Sequence, residues 1–156
     1  AGFDLVLVLD VLEHIADAAD FVRNDLIGMA EPGTPCLVAV PAYQRLFGAH
    51  DVALGHHRRY GRSQLLGEVT PWIDVVDHGS LFTSLLLPRA VQVALERRDA
   101  TGTAPADHGI GGWSHGAALT GVVNGALALD ARVGRRLGQI GVRLPGLSHW
   151  VFGVAR

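Results

Sequence analysis

With 156 residues, 49% of them hydrophobic and 18% charged, and a formal net charge of −2, the chain is long enough for one domain with a substantial core. Near-neutrality speaks against a polyanion-binding footprint, so no nucleic-acid partner is expected. All basic side chains apart from histidine are Arg and none is Lys, a bias that identifies no substrate, and the single cysteine, Cys36, lies in an apolar run where a buried thiol is expected and an internal disulfide is impossible.

No basic segment followed by an apolar one opens the sequence, so no secretory signal is read from it and a cytoplasmic setting is expected. Every residue between Asp4 and Asp10 is Leu or Val, which predicts a strand covered on both faces in a parallel sheet. It runs straight into Asp10, Glu13 and His14, and open α/β sheets gather their ligands at such strand ends. Ile15, Ala18, Ala19, Val22, Leu26 and Met29 then recur at helical spacing, with Asp17 as cap and Asp20 in the first turn, until Glu31-Pro32-Gly33 stops the helix. Pro35 to Val40 is a second apolar run. Residues 3–40 thus read as two adjacent parallel strands joined by a right-handed crossover helix, and the turns after Leu9 and Val40 leave the sheet at one edge.

Ala42 to Gly61 has no clean periodicity but holds Tyr43, Arg45, His50, Asp51, His56, His57, Arg58, Arg59 and Tyr60, which marks a polar loop that is either functional or disordered. Ser63 is placed as the cap of a short helix through Val69, and Trp72 to Asp77 as a third strand. From Leu87, a stripe of Ala90, Val91, Ala94 and Leu95 predicts a helix ending at Arg97 and Arg98. Asp99 to Gly112 reads as a flexible connection, within which Asp107 to Gly112 imitates a nucleotide-binding turn without the preceding strand that such a turn requires. Leu119, Val122, Val123, Ala126, Val133 and Leu137 then predict a long amphipathic helix, interrupted by Asp130 and weakened by Gly121 and Gly125. That helix either packs on the core or, with Arg132, Arg135 and Arg136, lies on a membrane surface. Trp150 to Ala155 forms the closing strand.

Asp10, Glu13 and His14 are spaced i, i+3, i+4, so on a helical turn they share one face and can share a cation, a ligand or one another. The competing reading is structural: Asp10 caps the turn, Glu13 offsets the helix dipole and His14 bonds backbone. A divalent metal on Asp10, Glu13 and His14 is chemically sound but needs a further ligand, for which His50, Asp51 and His56 are the candidates. Loop histidines also suit a general base, or an anion site with Arg58 and Arg59.

Phe3-Asp4 through His14-Ile15, Glu31-Pro32-Gly33 with the strand to Val40, Pro41-Ala42-Tyr43, and the run Ala49-His50-Asp51-x-x-Leu54-Gly55-His56-x-Arg58-Arg59-Tyr60 together resemble a bacterial branch of class I S-adenosylmethionine-dependent methyltransferases. The resemblance covers most of residues 1–80 and the closing strand. It implies an α/β fold, the carboxyl-terminal part of a Rossmann-like methyltransferase sheet. The whole chain would be a single partial domain, with a predominantly helical insertion over residues 81–147 and a last strand set antiparallel among its neighbours.

By that likeness Asp10, Val11, Leu12 and Glu13 border S-adenosylmethionine, and Tyr43, His56, Arg59 and Tyr60 line the pocket of a small-molecule or lipid-linked acceptor. His14 and His50 become the candidate general bases. Metal use is not implied, Asp10, Glu13 and His14 being the alternative. The family's first strand, glycine-rich cofactor turn and ribose-binding acid have no counterpart in these residues, so the chain is expected to be a fragment, inactive alone. Two rival readings remain open: a non-enzymatic interaction module derived from a truncated methyltransferase, and a metal-dependent hydrolase using the Asp10 to His14 turn.

Overall fold

The structure, a computed structural model, describes residues 3–98 and 116–156. The predicted flexible connection, Asp99 to Gly112, and the glycine turn within it at Asp107 to Gly112 lie outside those residues. The described chain is a mixed α/β structure on a four-stranded sheet of order β1-β2-β4-β3, where β1 is Val6–Leu9, β2 Pro35–Pro41, β3 Ile73–Leu81 and β4 Ser148–Ala155. β1 and β2 are parallel, in register from Val6 opposite Cys36 to Leu9 opposite Ala39. β4 is antiparallel to both neighbours, so Pro41 and Leu81 each face Ser148 and the carboxyl ends of β1, β2 and β3 share one edge.

Asp17 caps helix α1 (Ala18–Phe21) by accepting from the Asp20 amide at 3.0 Å, as the sequence predicts. The helix does not continue regularly: a π turn over Val22–Leu26 separates it from α2 (Ile27–Met29). The widened turn keeps Val22 and Leu26 fully buried against Val6, Val8, Val38 and Val151. α4 (Arg62–Val69) adds Leu65 and Val69 to the same core face. Its N-cap is Gly61, so Ser63 falls inside the first turn and is not the cap predicted.

β3 extends four residues beyond the predicted strand because pairing with β4 carries Gly79 and Ser80 into the sheet despite their weak local preference. A bulge between Val75 and Asp77 interrupts that pairing. Opposite it, a Cβ on Gly153 would lie 2.5 Å from the Asp74 carbonyl oxygen, so only glycine admits this approach.

The expectation that β1 is covered on both faces is corrected. Val6 and Val8 enter the core, whereas Leu5, Leu7 and Leu9 are about half exposed (47%, 54% and 49%), because the described helices that complete the core lie on the other face. A charge-free run cannot by itself distinguish one covered face from two. Two helical stripes are likewise redirected. α5 (Leu86–Arg98) turns Arg89 and Val93 inward and leaves Val91 and Leu95 exposed. α6 (Ala117–Gln139) leaves Leu119, Val122, Leu129 and Val133 exposed, and Asp130, the residue that breaks its stripe, accepts from the Ser84 amide and hydroxyl at 3.0 and 3.1 Å. No helix among the described residues is long and apolar enough to cross a membrane.

His149 on the core face of β4 is buried, with Nδ1 2.9 Å from Ser80 Oγ and its ring edge-on to Tyr43 at 5.0 Å. Burial, reinforced by the Arg62 and His78 charges, lowers its pKa from 6.5 to about 4, so the fold holds it neutral. The unfolded chain binds the proton first as pH falls, so His149 destabilises the fold progressively from about pH 6.5 to pH 4, by up to about 3 kcal/mol. Urea unfolding at pH 7 and pH 4.5 is expected to show this loss, and the difference between the two pH values should shrink in His149→Phe.

Candidate functional site

The polar residues converge where β1 and β2 end. Asp10 leaves β1 with φ 51°, its amide bonded to the Ala39 carbonyl at 3.0 Å, and a 3-10 turn over Leu12–His14 follows at once. That turn buries Leu12 and Glu13 completely and leaves His14 exposed. Asp10 makes no side-chain cap of the turn, which begins from Val11, so the predicted capping role is not found.

The 42–61 loop is ordered and fastened over this turn. A parallel bridge joins Ala42 to Tyr60, and the Tyr43 amide donates to the Tyr60 carbonyl and the Tyr60 amide to the Pro41 carbonyl, both at 2.8 Å. The Tyr60 hydroxyl donates to the Leu12 carbonyl at 3.2 Å, the His57 amide to the Glu13 carbonyl at 2.7 Å, and the Arg58 guanidinium to the Ile15 and Ala16 carbonyls. Strand ends with free carbonyls and a loop rich in N–H donors fit together for that reason.

Beneath the loop lies Asp51, at the third position of α3 (Ala49–Ala53) and fully buried. Its Oδ2 accepts from the Gly48 amide at 2.9 Å, starting the helix, and from Arg89 Nη2 of α5 at 2.7 Å. Its Oδ1 meets Arg59 Nε at 2.7 Å and His56 Nδ1 at 3.0 Å. Burial alone would raise the Asp51 pKa, but the Gly48 amide and the Arg59 charge outweigh it and hold the carboxyl below its ordinary value. Burial lowers the His56 pKa against the pull of Asp51, so its imidazole is neutral at pH 7.

His56 is thereby set beside His14, ring centroids 4.6 Å apart at 85°. Glu13 completes the group: one ligand-type atom from each of Glu13, His14 and His56 lies within 4.8 Å of the others. Neither Glu13 carboxylate oxygen accepts a hydrogen bond from another residue. Burial, with Asp10 adding repulsion, raises its pKa to about 7.

The predicted site residues therefore separate. Glu13, His14 and His56 come together. Asp10, the third member of the alternative ligand set Asp10, Glu13 and His14, stands exposed outside their cluster, where the left-handed backbone at Asp10 and the 3-10 turn that follows set it apart. His50 sits on α3, also outside the cluster. Arg59 and Tyr60 are buried in the frame, Leu12 in the core, and Val11 is half-buried. Tyr43, with φ 62°, packs against His149 and lies under the Arg45 guanidinium. Arg89 was not among the predicted residues, since nothing local in Leu86–Arg98 distinguishes it from the other arginines.

On the sheet's other face, a cleft of about 590 Å³ opens between β3 and α6, with Phe82, Leu127, Leu144 and Trp150 against Arg135 and Arg143. No protein-family model matches the chain, and no curated protein matches it either.

Removing one partner from a buried ion pair leaves the other charge uncompensated, a loss of about 3 kcal/mol, while an exposed pair contributes about 0.5 kcal/mol. Arg89→Met is therefore expected to lower the urea-unfolding free energy several-fold more than Arg156→Met, which breaks the exposed pair with Asp74 and an exposed hydrogen bond to the Pro71 carbonyl.

Proposed function

We propose that this chain forms the acceptor side and one cofactor edge of an S-adenosylmethionine-dependent methyltransferase, and that it is the carboxyl-terminal part of a Rossmann-like methyltransferase fold. The observation carrying this reading is the strand order β1-β2-β4-β3 with β4 antiparallel to both neighbours, the order expected for the second half of such a sheet. The convergence of the Asp10 to His14 turn and the 42–61 loop at the shared carboxyl edge supports it further.

S-adenosylmethionine would supply an electrophilic methyl group. Asp10 and Val11, the accessible members of the turn, border the cofactor, and the buried Leu12 and Glu13 fix their path. For a hydroxyl acceptor His14, exposed at the mouth of the site, takes the proton, with His50 the second candidate base. The rigid loop positions the acceptor and excludes water, where most of the rate enhancement arises. The cleft between β3 and α6 pairs apolar walls with Arg135 and Arg143, which favours an amphiphilic or lipid-linked acceptor.

Adenosine recognition belongs to a glycine-rich turn that the described residues lack, so the test uses the complete reading frame, including whatever is encoded upstream of Ala1. Calorimetry with S-adenosylhomocysteine is expected to give saturable binding, weakened about tenfold or more by Asp10→Ala, a loss of about 1.4 kcal/mol. Folded protein without such binding overturns the reading and favours the interaction module.

A further inference from the structure

We propose that Glu13, His14 and His56 form a binding site for one divalent transition-metal ion, with Asp51 orienting His56 from behind. Three observations carry this independently of methyl transfer, and a liganded His14 would leave His50 as the base for a hydroxyl acceptor. The first is convergence: the three ligand atoms lie within 4.8 Å of one another. Ligands of a tetrahedral ion with bonds of about 2.1 Å stand about 3.4 Å apart, so side-chain rotations of about an ångström close the site.

The second is the condition of Glu13. Its side chain is wholly inaccessible and neither of its oxygens accepts a hydrogen bond from another residue, although buried polar atoms are nearly always satisfied. No guanidinium reaches it: Arg59 and Arg89 are spent on Asp51, and Arg58 on the Ile15 and Ala16 carbonyls. A cation between Glu13 and the two imidazoles satisfies what no protein donor does.

The third is the tautomer of His56. The Asp51 carboxylate, already taking the Gly48 amide and two guanidiniums, can only accept, so the His56 proton sits on Nδ1 and the lone pair of Nε2 is free. Carboxylate behind imidazole is how metal-binding histidines are oriented and made more basic. Asp51 itself is not a ligand, because its two oxygens already take four donors.

One carboxylate oxygen and two imidazole nitrogens select zinc, iron(II) or cobalt(II) over magnesium and calcium, which prefer all-oxygen shells. His14 is exposed, so the outer side of the ion stays open to water or to an oxygen or nitrogen of a bound molecule. Such an ion would act as a Lewis acid or lower the pKa of bound water.

The test is cobalt(II) titration of the chelator-stripped 156-residue chain, followed by visible absorption and by competition with zinc. One ion per chain is expected, displaced by zinc and not by an equal concentration of magnesium. Glu13→Gln, which keeps the shape and removes the charge, and His56→Ala should each weaken uptake tenfold or more, while His57→Ala, at an exposed loop imidazole, leaves it unchanged. X-ray absorption of the unmutated zinc-loaded chain needs no variant and should show imidazole and carboxylate in the first shell. Absence of saturable uptake, uptake undiminished in both Glu13→Gln and His56→Ala, equal affinity for magnesium, or a shell without imidazole would each overturn the proposal. Failure of S-adenosylhomocysteine binding would leave it standing.

Discussion

The carboxylate of Asp51 is the constraint on which the rest of the site depends. A charge removed from water is stable only when surrounded by donors, and four reach Asp51 from three parts of the chain: the Gly48 amide that starts α3, His56 and Arg59 of the loop, and Arg89 of α5. The single group therefore caps a short helix, closes the loop and ties a helix from the segment between β3 and β4 back to the sheet edge. Gly48 shows how close the packing is, since a Cβ there would lie 3.2 Å from Arg89 Nη2 and closer still to the Glu96 carboxylate. Two guanidiniums face one carboxylate in this network, and the field of Arg59 works against the desolvation of nearby Glu13.

Much of the fold was legible because it rests on local pattern. The parallel pair β1 and β2 followed from two apolar runs about thirty residues apart with a capped helix between them, and Asp17 announced that helix correctly. The closing strand was legible from its composition, and its antiparallel place between β2 and β3 entered as what the resemblance implies. What failed was whatever tertiary contact decides. Leu7 and Val8 look alike in sequence and end on opposite faces, and the face α5 presents is set by the attraction of Arg89 for a carboxylate 38 residues away.

The site was legible in its membership more than in its geometry. The Asp10 to His14 spacing and the histidine-rich loop pointed to the right region, and Glu13, His14 and His56 do meet. Helical spacing, however, put Asp10 on their face. Its φ of 51° removes it, and a left-handed residue at a strand end leaves no periodic signature. Asp51, Arg59 and Tyr60 look like site residues in sequence because buried frames and binding pockets draw on the same side chains. Only burial and hydrogen bonding tell them apart.

Among the described residues β1 pairs only with β2, and its outer backbone ladder lies beside the open apolar face of Leu5, Leu7 and Leu9. Two copies meeting there would gain hydrogen bonds and apolar contact together, which is how edge strands begin to cluster. Asp4 and Asp10, both exposed, bracket the strand and set like charges against like in any such encounter. Their repulsion reaches only about 8 Å in physiological salt and less as salt rises, while apolar contact does not weaken. Where no further strand pairs beside β1, dilute buffer thus disfavours this encounter and concentrated salt favours it.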